Sequence, residues 1–345
     1  MSASSSTTQG VNPEVSIIVP ARNEEASLGE CLRSLVAQGG VEHEIIVVDD
    51  GSTDRTRDIA QSFAGVQVIA APPLPTGWTG KNNAVVAGAA VAHGEWLLFT
   101  DADTFHLPGS LERAVAEAKA EKADLLSYSP EQMVVTFAEQ VVMPVVFAEL
   151  AAQYPPEKVR DPNSGIVAAN GQYIIVRREA YEAAGGHAAV ATELLEDVAL
   201  ARAFRRRGFR VRFRYGGDAV RTRMYRNWQQ LRDGWTKNLA LLFPHAQTHA
   251  LKLAAWWLLA WMTLPLPIAA IMLFFRIRRA NFSSGATLLA TALGPPVFAH
   301  LLLRSRRQHA RCAVSWKGRT YVQGQGMGDQ GWTLGSENRQ LRTEN

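Results

Sequence analysis

At 345 residues the chain can hold one large α/β domain plus an appended module, with a full buried core. Lys and Arg total 36 against 32 Asp and Glu, a net charge of +4, so the chain as a whole does not read as a nucleic-acid binder. Its two cysteines, Cys31 and Cys312, lie far apart and outside any metal-spaced motif, which argues against a disulfide framework and fits a reducing compartment.

The first nine residues are polar and Ser/Thr-rich, with neither a basic nor an apolar region of the kind a signal peptide needs. The catalytic part is therefore expected on the cytoplasmic side of the inner membrane. Glu14 to Pro20 (EVSIIVP) reads as a compact apolar strand. A helix is predicted over Ser27 to Gln38, with Leu28, Leu32, Leu35 and Val36 at helical spacing and Ser27 able to cap. Glu44 to Val48 is the next strand and runs into Asp49-Asp50-Gly51-Ser52. A helix over Asp54 to Phe63 and a strand over Val66 to Ala70 follow. Lys81 to His93 reads as a helix, Trp96 to Thr100 as a strand, Pro108 to Lys122 as a helix and Leu125 to Ser129 as a strand. Met133 to Ala152 is apolar but carries Glu139, Gln140 and Glu149, which suits a buried or interfacial helix rather than a span. Ile174 to Val176 and Phe209 to Tyr215 read as strands, Arg178 to Ala184 and Glu193 to Arg207 as helices. Strands alternating with helices imply a mostly parallel sheet covered on both faces.

Between Arg202 and Arg226 stand ten arginines and one acid, Asp218. Such a stretch either faces anionic phosphates or lipid, or is a solvated face with snorkelling side chains. Beyond it the chain changes character. Leu253 to Phe275 and Ala280 to Leu303 contain no charge apart from the ionisable His300, and each is long enough for a hydrocarbon core of roughly 30 Å. Arg276, Arg278 and Arg279 separate the two runs, so a two-span hairpin would place them outside, against the positive-inside tendency. Re-entrant or interfacial helices avoid that conflict.

Open parallel sheets bind ligands beyond the carboxyl ends of their strands. Two predicted strand ends carry acids, Asp49-Asp50 and Asp101-Ala102-Asp103, which puts both clusters on one rim. Asp101 and Asp103, with Ala102 turned away, can converge on one divalent cation, and an oxygen-only set favours Mg²⁺ or Mn²⁺. The plainer reading of such acids is helix capping. Lys81, with Gly80, opens a predicted helix where backbone N–H groups and an ammonium suit a pyrophosphate. Glu196-Asp197 begins another helix, where acids also simply complement the dipole.

Ile17-Ile18-Val19-Pro20-Ala21-Arg22-Asn23-Glu24, then Val47 to Asp54 (VVDDGSTD), then Asp101-Ala102-Asp103, in that order, resemble glycosyltransferase family 2. The resemblance covers about Val15 to Trp235 and implies a GT-A fold: α/β, Rossmann-like, a mostly parallel mixed sheet with helices on both faces, here followed by C-terminal apolar membrane helices. Pro72 to Ala84 (PPLPTGWTGKNNA) is similar to a narrower subset, the carotenoid- and hopanoid-associated and ceramide glucosyltransferase-like enzymes. By that resemblance Pro20, Ala21, Glu24, Asp50, Lys81 and Asp101 take the nucleotide-sugar donor, and Asp103 with Asp101 takes the metal. Asp197 acts as base with Glu196 beside it. Gln172, in Asn170-Gly171-Gln172, falls on the acceptor side. Many relatives show Gln-x-x-Arg-Trp; this chain has Gln229-Gln230-Leu231-Arg232 with Trp235 two places late, which speaks against a processive polymerase and leaves Arg232 and Trp235 for the acceptor or pyrophosphate side. Trp316-Lys317-Gly318-Arg319 resembles a tail element of the same subset.

The expected organisation is a disordered polar tail at 1–13, a catalytic domain at 14–245, a membrane-associated helical region at 246–305 and a polar tail at 306–345. The expected function is inverting transfer of a sugar, UDP-hexose by preference, to a lipid or isoprenoid acceptor at the membrane. A polyprenyl-phosphate sugar transferase is the alternative, and a nucleotidyltransferase a more distant one.

Overall fold

The computed structural model describes residues 13–262 and 267–311, and the strands at 313–316, 319–323 and 332–334. The polar tail expected at 1–13 lies almost wholly outside the described residues, as do Lys317, Gly318 and most of the C-terminal tail. The first half of the chain runs β1 (Val15–Ala21), α1 (Leu28–Val36), β2 (His43–Asp49), α2 (Thr56–Gln61), β3 (Val66–Ala70), α3 (Gly80–Val91), β4 (Trp96–Phe99), β5 (Thr104–His106), α4 (Ser110–Ala120), β6 (Leu125–Ser129), β7 (Glu131–Gln132) and α5 (Phe137–Gln153). The second half continues with α6 (Pro156–Arg160), β8 (Ile174–Arg177), α7 (Arg178–Ala184), α8 (Glu196–Arg206), β9 (Val211–Tyr215), β10 (Val220–Thr222), α9 (Trp228–Leu242), α10 (Ala246–Met262), α11 (Ile268–Arg278) and α12 (Ser284–Ala310), then β11 (Ala313–Trp316), β12 (Arg319–Gln323) and β13 (Trp332–Leu334).

Seven strands form the main sheet in the order β3-β2-β1-β4-β8-β6-β9. All neighbours are parallel except β8, which runs antiparallel to both β4 and β6. The apolar runs that lack clean alternation are those covered on both faces. Ile17, Val19, Ile45 and Val47 point to one side, against Leu28, Leu32 and Leu35 of α1 and Leu111 and Val115 of α4. Ile18, Ile46 and Val48 point to the other, against Val85 of α3 and Leu200 and Phe204 of α8. The mixed, two-sided sheet expected from the sequence is what forms. A third core joins α5 and α9 to α10, α11 and α12.

Strand limits match the expectations to within a residue or two, whereas several helices start later. The Ser27 cap is a correction: its hydroxyl donates to Glu24 Oε2 at 2.8 Å and makes no cap bond to α1. Thr79 does cap α3, accepting from Asn82 N, and Thr136 and Glu139 form a reciprocal capping box on α5.

The structure decides two stretches that the sequence leaves open. The apolar run Leu253 to Phe275 lies on two helices, α10 ending at Met262 and α11 beginning at Ile268 after its N-cap Pro267. Among the described residues α12 is the one helix long and apolar enough to cross a bilayer, and half of its apolar window is buried within the protein. Four arginines of the basic stretch pair with acids within the protein, while Arg202, Arg206, Arg207, Arg210 and Arg226 stay exposed. Arg212 pairs with Glu121 at 2.8 Å, Arg214 with Glu117 at 2.9 Å and Asp218 at 2.7 Å, Arg221 with Glu131 at 2.7 Å, and Arg223 with Glu139 at 3.1 Å. Those side chains fasten β9 and β10 to α4, β7 and α5 instead of offering a cationic face.

Candidate active site

The loops leaving β1 and β2 are stitched to each other, which explains why their motifs occur as a set. Asp50 N–H donates to Ala21 O at 2.9 Å, Asn23 N–H to Ser52 Oγ at 3.1 Å, Thr53 N–H to Asn23 Oδ1 at 2.9 Å and Glu24 N–H to Thr56 Oγ1 at 2.7 Å. Asn23 sits in the left-handed region at φ 53, which the Asn side chain tolerates better than most. Arg22, whose guanidinium bonds Asp50 O, is a further member of this junction.

The turn after β4 is pinned from two sides. Thr104 Oγ1 donates to Asp101 O at 2.7 Å and Thr222 Oγ1 to Asp103 O at 3.1 Å, while Ala102 is buried in the core beneath. Asp101, Ala102 and Asp103 all border one cavity, and Ala102 also packs into the core beneath.

Both loops open onto a cavity of about 880 Å³. Pro20, Ala21, Glu24, Asp50, Lys81, Asp101, Asp103, Gln172, Glu196, Asp197 and Trp235 all line it. Arg232 is not among the lining residues, but its guanidinium pairs at 2.9 Å with the adjacent Asp233, which is. Trp235 contributes an apolar wall rather than a hydrogen bond, because its indole N–H is directed at Met143 Sδ at 3.4 Å. Gln172 is buried and donates to Thr222 Oγ1 at 3.2 Å, so it braces the turn that carries Asp103.

At the floor, Lys81 Nζ lies 2.7 Å from Asp101 Oδ1 and 2.7 Å from Glu196 Oε1. Three segments that are remote in sequence thus meet at one ammonium. Against the cost of burial, the two carboxylates hold Lys81 well above the usual lysine range. Glu196 is likewise held below the usual carboxylate range, its burial outweighed by Lys81 and then Lys237. Asp197 behaves oppositely: burial, followed by the neighbouring Glu196 charge, pushes it up to about 6. Its Oδ2 accepts from Gly171 N–H at 2.9 Å and its Oδ1 from Val198 N–H at 2.7 Å. Gly171 leaves little room: a Cβ there would stand 3.0 Å from Lys81 Nζ and 3.2 Å from Glu196 Oε1, so both side chains would have to give by a few tenths of an ångström.

Lys237 on α9 also lines the cavity, and burial holds its ammonium below the usual lysine range despite Glu196. No motif or spacing singles it out in the sequence; the fold of α9 over the cleft brings it there. Apolar side chains line the cavity as well: Phe147, Leu150 and Ala151 of α5, Tyr154 just beyond its end, Phe213 of β9 and Leu242 of α9. The result is one chamber with an acidic, lysine-braced floor and an oily wall.

Asp101 and Asp103 supply hard carboxylate oxygens suited to Mg²⁺ or Mn²⁺. Among the described residues no group of three or more His, Cys, Asp or Glu is arranged to hold a metal. A divalent ion held by this pair would take the rest of its coordination shell from phosphate oxygens and water. That suits an ion bound together with a diphosphate and does not suit a permanently caged one.

Residues 16–183 match the family model described as glycosyl transferase family 2. Over 234 residues, 66% of the chain, the sequence is 30% identical to the 4,4'-diaponeurosporenoate glycosyltransferase of Staphylococcus aureus strain USA300, and equally so to that of strain MRSA252. The chain spans 60% of the length of those relatives. In three dimensions it resembles the mannosyltransferase PcManGT from Pyrobaculum calidifontis, solved with GDP-Man and Mn²⁺, with a TM-score of 0.52, 20% identity and coverage of 87% of this chain and 88% of that one. At that identity the likeness speaks to the fold, which is GT-A.

Proposed function

From the premise that residues 16–183 are a glycosyl transferase family 2 domain, we propose that this protein moves a hexose from a nucleoside diphosphate sugar to an apolar, isoprenoid-type acceptor at a membrane, with inversion at the anomeric carbon. One observation carries the reading: Asp50, Asp101, Asp103, Glu196 and Asp197, drawn from three separate stretches of chain, line one chamber together with a set of apolar side chains.

In this reading the rim formed by Pro20, Ala21, Glu24 and Asp50 takes the nucleoside, the Asp50 carboxylate accepting from a ring N–H or a ribose hydroxyl. Asp103 and Asp101 would hold a divalent ion, which when bound neutralises charge on the departing diphosphate. Lys81 lies at the same place and orients Asp101 through its ion pair. Asp197 receives the acceptor proton as the acceptor oxygen bonds to the anomeric carbon and the bond to the diphosphate breaks. A carboxylate near 6 is well matched to that task, being ionised at neutral pH yet more basic than an exposed one. Glu196 raises that basicity, and the backbone donors of Gly171 and Val198 fix the orientation of the group. The wall of Phe147, Leu150, Tyr154 and Leu242 suits an acceptor that is largely hydrocarbon. The carotenoid acceptor in the relatives' name agrees with this class, without identifying the compound used here.

The test is product analysis. The protein is incubated with UDP- or GDP-hexose, Mn²⁺ and an isoprenoid alcohol or carboxylic acid in detergent. Release of nucleoside diphosphate with a glycosylated lipid is expected. Release of pyrophosphate would mean nucleotidyl transfer, and acceptance of a polyprenyl phosphate alone would redirect the reading to that alternative.

A further inference from the structure

Outside the cleft, the carboxylate of Glu149 on α5 gathers two distant partners. His249 Nε2, in the first turn of α10, lies 2.8 Å from Oε2. Arg276, near the end of α11, donates from Nε to Oε1 at 2.8 Å and from Nη2 to Oε2 at 2.7 Å. The start of α10 and the end of α11 therefore stand at one point, and the apolar chain between them goes out and comes back. A single span over 253–275 would hold these two residues about 30 Å apart on opposite faces of a bilayer.

The outward faces of the two helices are also reversed relative to those of a water-soluble protein. On α11, Ile268, Ile271, Met272 and Phe275 are exposed at i, i+3, i+4 and i+7, while Leu273 and Ile277 face the protein. On α10, Leu251, Leu258, Leu259 and Met262 form the same kind of outward stripe, Met262 being 80% exposed next to the connection between the helices. At 1.5 Å per residue, the 17 residues of α10 rise about 25 Å and the 11 of α11 about 17 Å, so α11 falls short of a full hydrocarbon core.

Helix α12 is held against the catalytic helices along its length. A Cβ on Gly294 would stand 2.5 Å from Val141 O of α5, Ser305 Oγ accepts from Ala240 N–H of α9 at 2.9 Å, and His309 bonds Lys237 O at 2.8 Å. That face is closed to lipid. Exposed Arg279 lies at the foot of α11, where an anionic headgroup would meet it, while exposed Arg306, Arg307 and Arg311 stand at the far end of the 27-residue α12.

We propose that α10 and α11 dip into one leaflet of an anionic bilayer as a re-entrant pair, so that the apolar run over 253–275 does not cross it. Building on the membrane-side acceptor reading above, this keeps Arg276, Arg278 and Arg279 on the same side as the cleft and removes the conflict with the positive-inside tendency. It also sets the apolar wall formed by α5 beside the leaflet from which a lipid acceptor arrives.

The experiment labels single cysteines in sealed membranes with an impermeant maleimide, in a Cys312→Ser background where buried Cys31 serves as the unreactive control. Gln247→Cys lies in the first turn of α10 and Ser284→Cys beyond the end of α11, both at exposed positions. Equal labelling of both in one vesicle orientation, before detergent, is expected; labelling of one only after detergent would overturn the proposal. Flotation with phosphatidylglycerol vesicles is expected for the wild type and should be lost in Ile271→Asn/Phe275→Asn. A protein that stays in solution as a dimer and fails to float would also overturn it, because the apolar stripes would then be covered by a second copy. Nucleoside diphosphate release from the same membranes reports on sugar transfer separately, so a failure of either idea is distinguishable from a failure of the other.

Discussion

Two carboxylate clusters of the same ingredients do different work in this molecule. Around Glu149, one acid meets Arg276 and His249 with both oxygens engaged, in a pocket of packed helices where the carboxylate is nearly sealed from water. Around Lys81, one ammonium faces Asp101 and Glu196 with Asp197 alongside, at the floor of an open chamber, so acids outnumber the cation. The closed cluster is balanced and acts as a staple between α5, α10 and α11. The open cluster keeps unspent negative charge and a carboxyl shifted towards neutrality, which is a state fit to bind and to exchange a proton. Charge balance and access, more than residue type, separate a structural ion cluster from a reactive one.

The comparison breaks first at the reactive cluster. Asp197→Asn should lower the transfer rate by about 100-fold or more, the usual scale of a general base, while leaving nucleotide-sugar binding and thermal unfolding near wild type. Turnover within a few fold of wild type would remove Asp197 from the role. At the structural cluster the effect falls on stability instead. Arg276→Ala strands Glu149 without its main counter-charge and should cost about 3–5 kcal/mol, read as a lowered unfolding temperature in detergent.

The next two predictions test the electrostatics around Asp197. The group is a base only when ionised, so kcat/KM should be retained above about pH 6 and fall as pH drops through that value. Lys81 lowers the Asp197 value and Glu196 raises it. The midpoint should therefore move to higher pH in Lys81→Met and to lower pH in Glu196→Gln. Midpoints that move together, or not at all, would show that Asp197 does not govern the profile. The smallest effect belongs to an exposed pair: Arg221→Ala, which loses Glu131 at the surface, should change stability by less than about 1 kcal/mol.

Much of the rim was legible because its residues are local. Pro20 to Glu24, Asp49 to Asp54 and Asp101 to Asp103 each follow an apolar strand, and a strand of parallel sheet delivers its C-terminal loop to one edge wherever the helices go. Glu196 and Asp197 were legible only through the family resemblance, since by spacing alone they look like acids at a helix start. Lys237 was not legible at all. Along an amphipathic helix, sequence fixes relative faces, but which face meets the cleft depends on how α9 packs on α5 and α12; Arg232 reaches the cavity's edge only through its pair with Asp233.

The amino-acid order by itself determined the α/β alternation, the two-sided burial of β1 and β2, and the gathering of acids on the β1–β4 rim, because backbone geometry and hydrophobic runs act over a few residues. Tertiary structure alone decided that Lys81 binds Asp101 and Glu196, that the arginines of β9 and β10 pair with α4 and α5, and that the apolar run after Leu253 folds back on itself to meet Glu149. Those outcomes depend on charges tens of residues apart becoming neighbours, and the free energy of an ion pair is set by distance and solvent exclusion rather than by position along the chain.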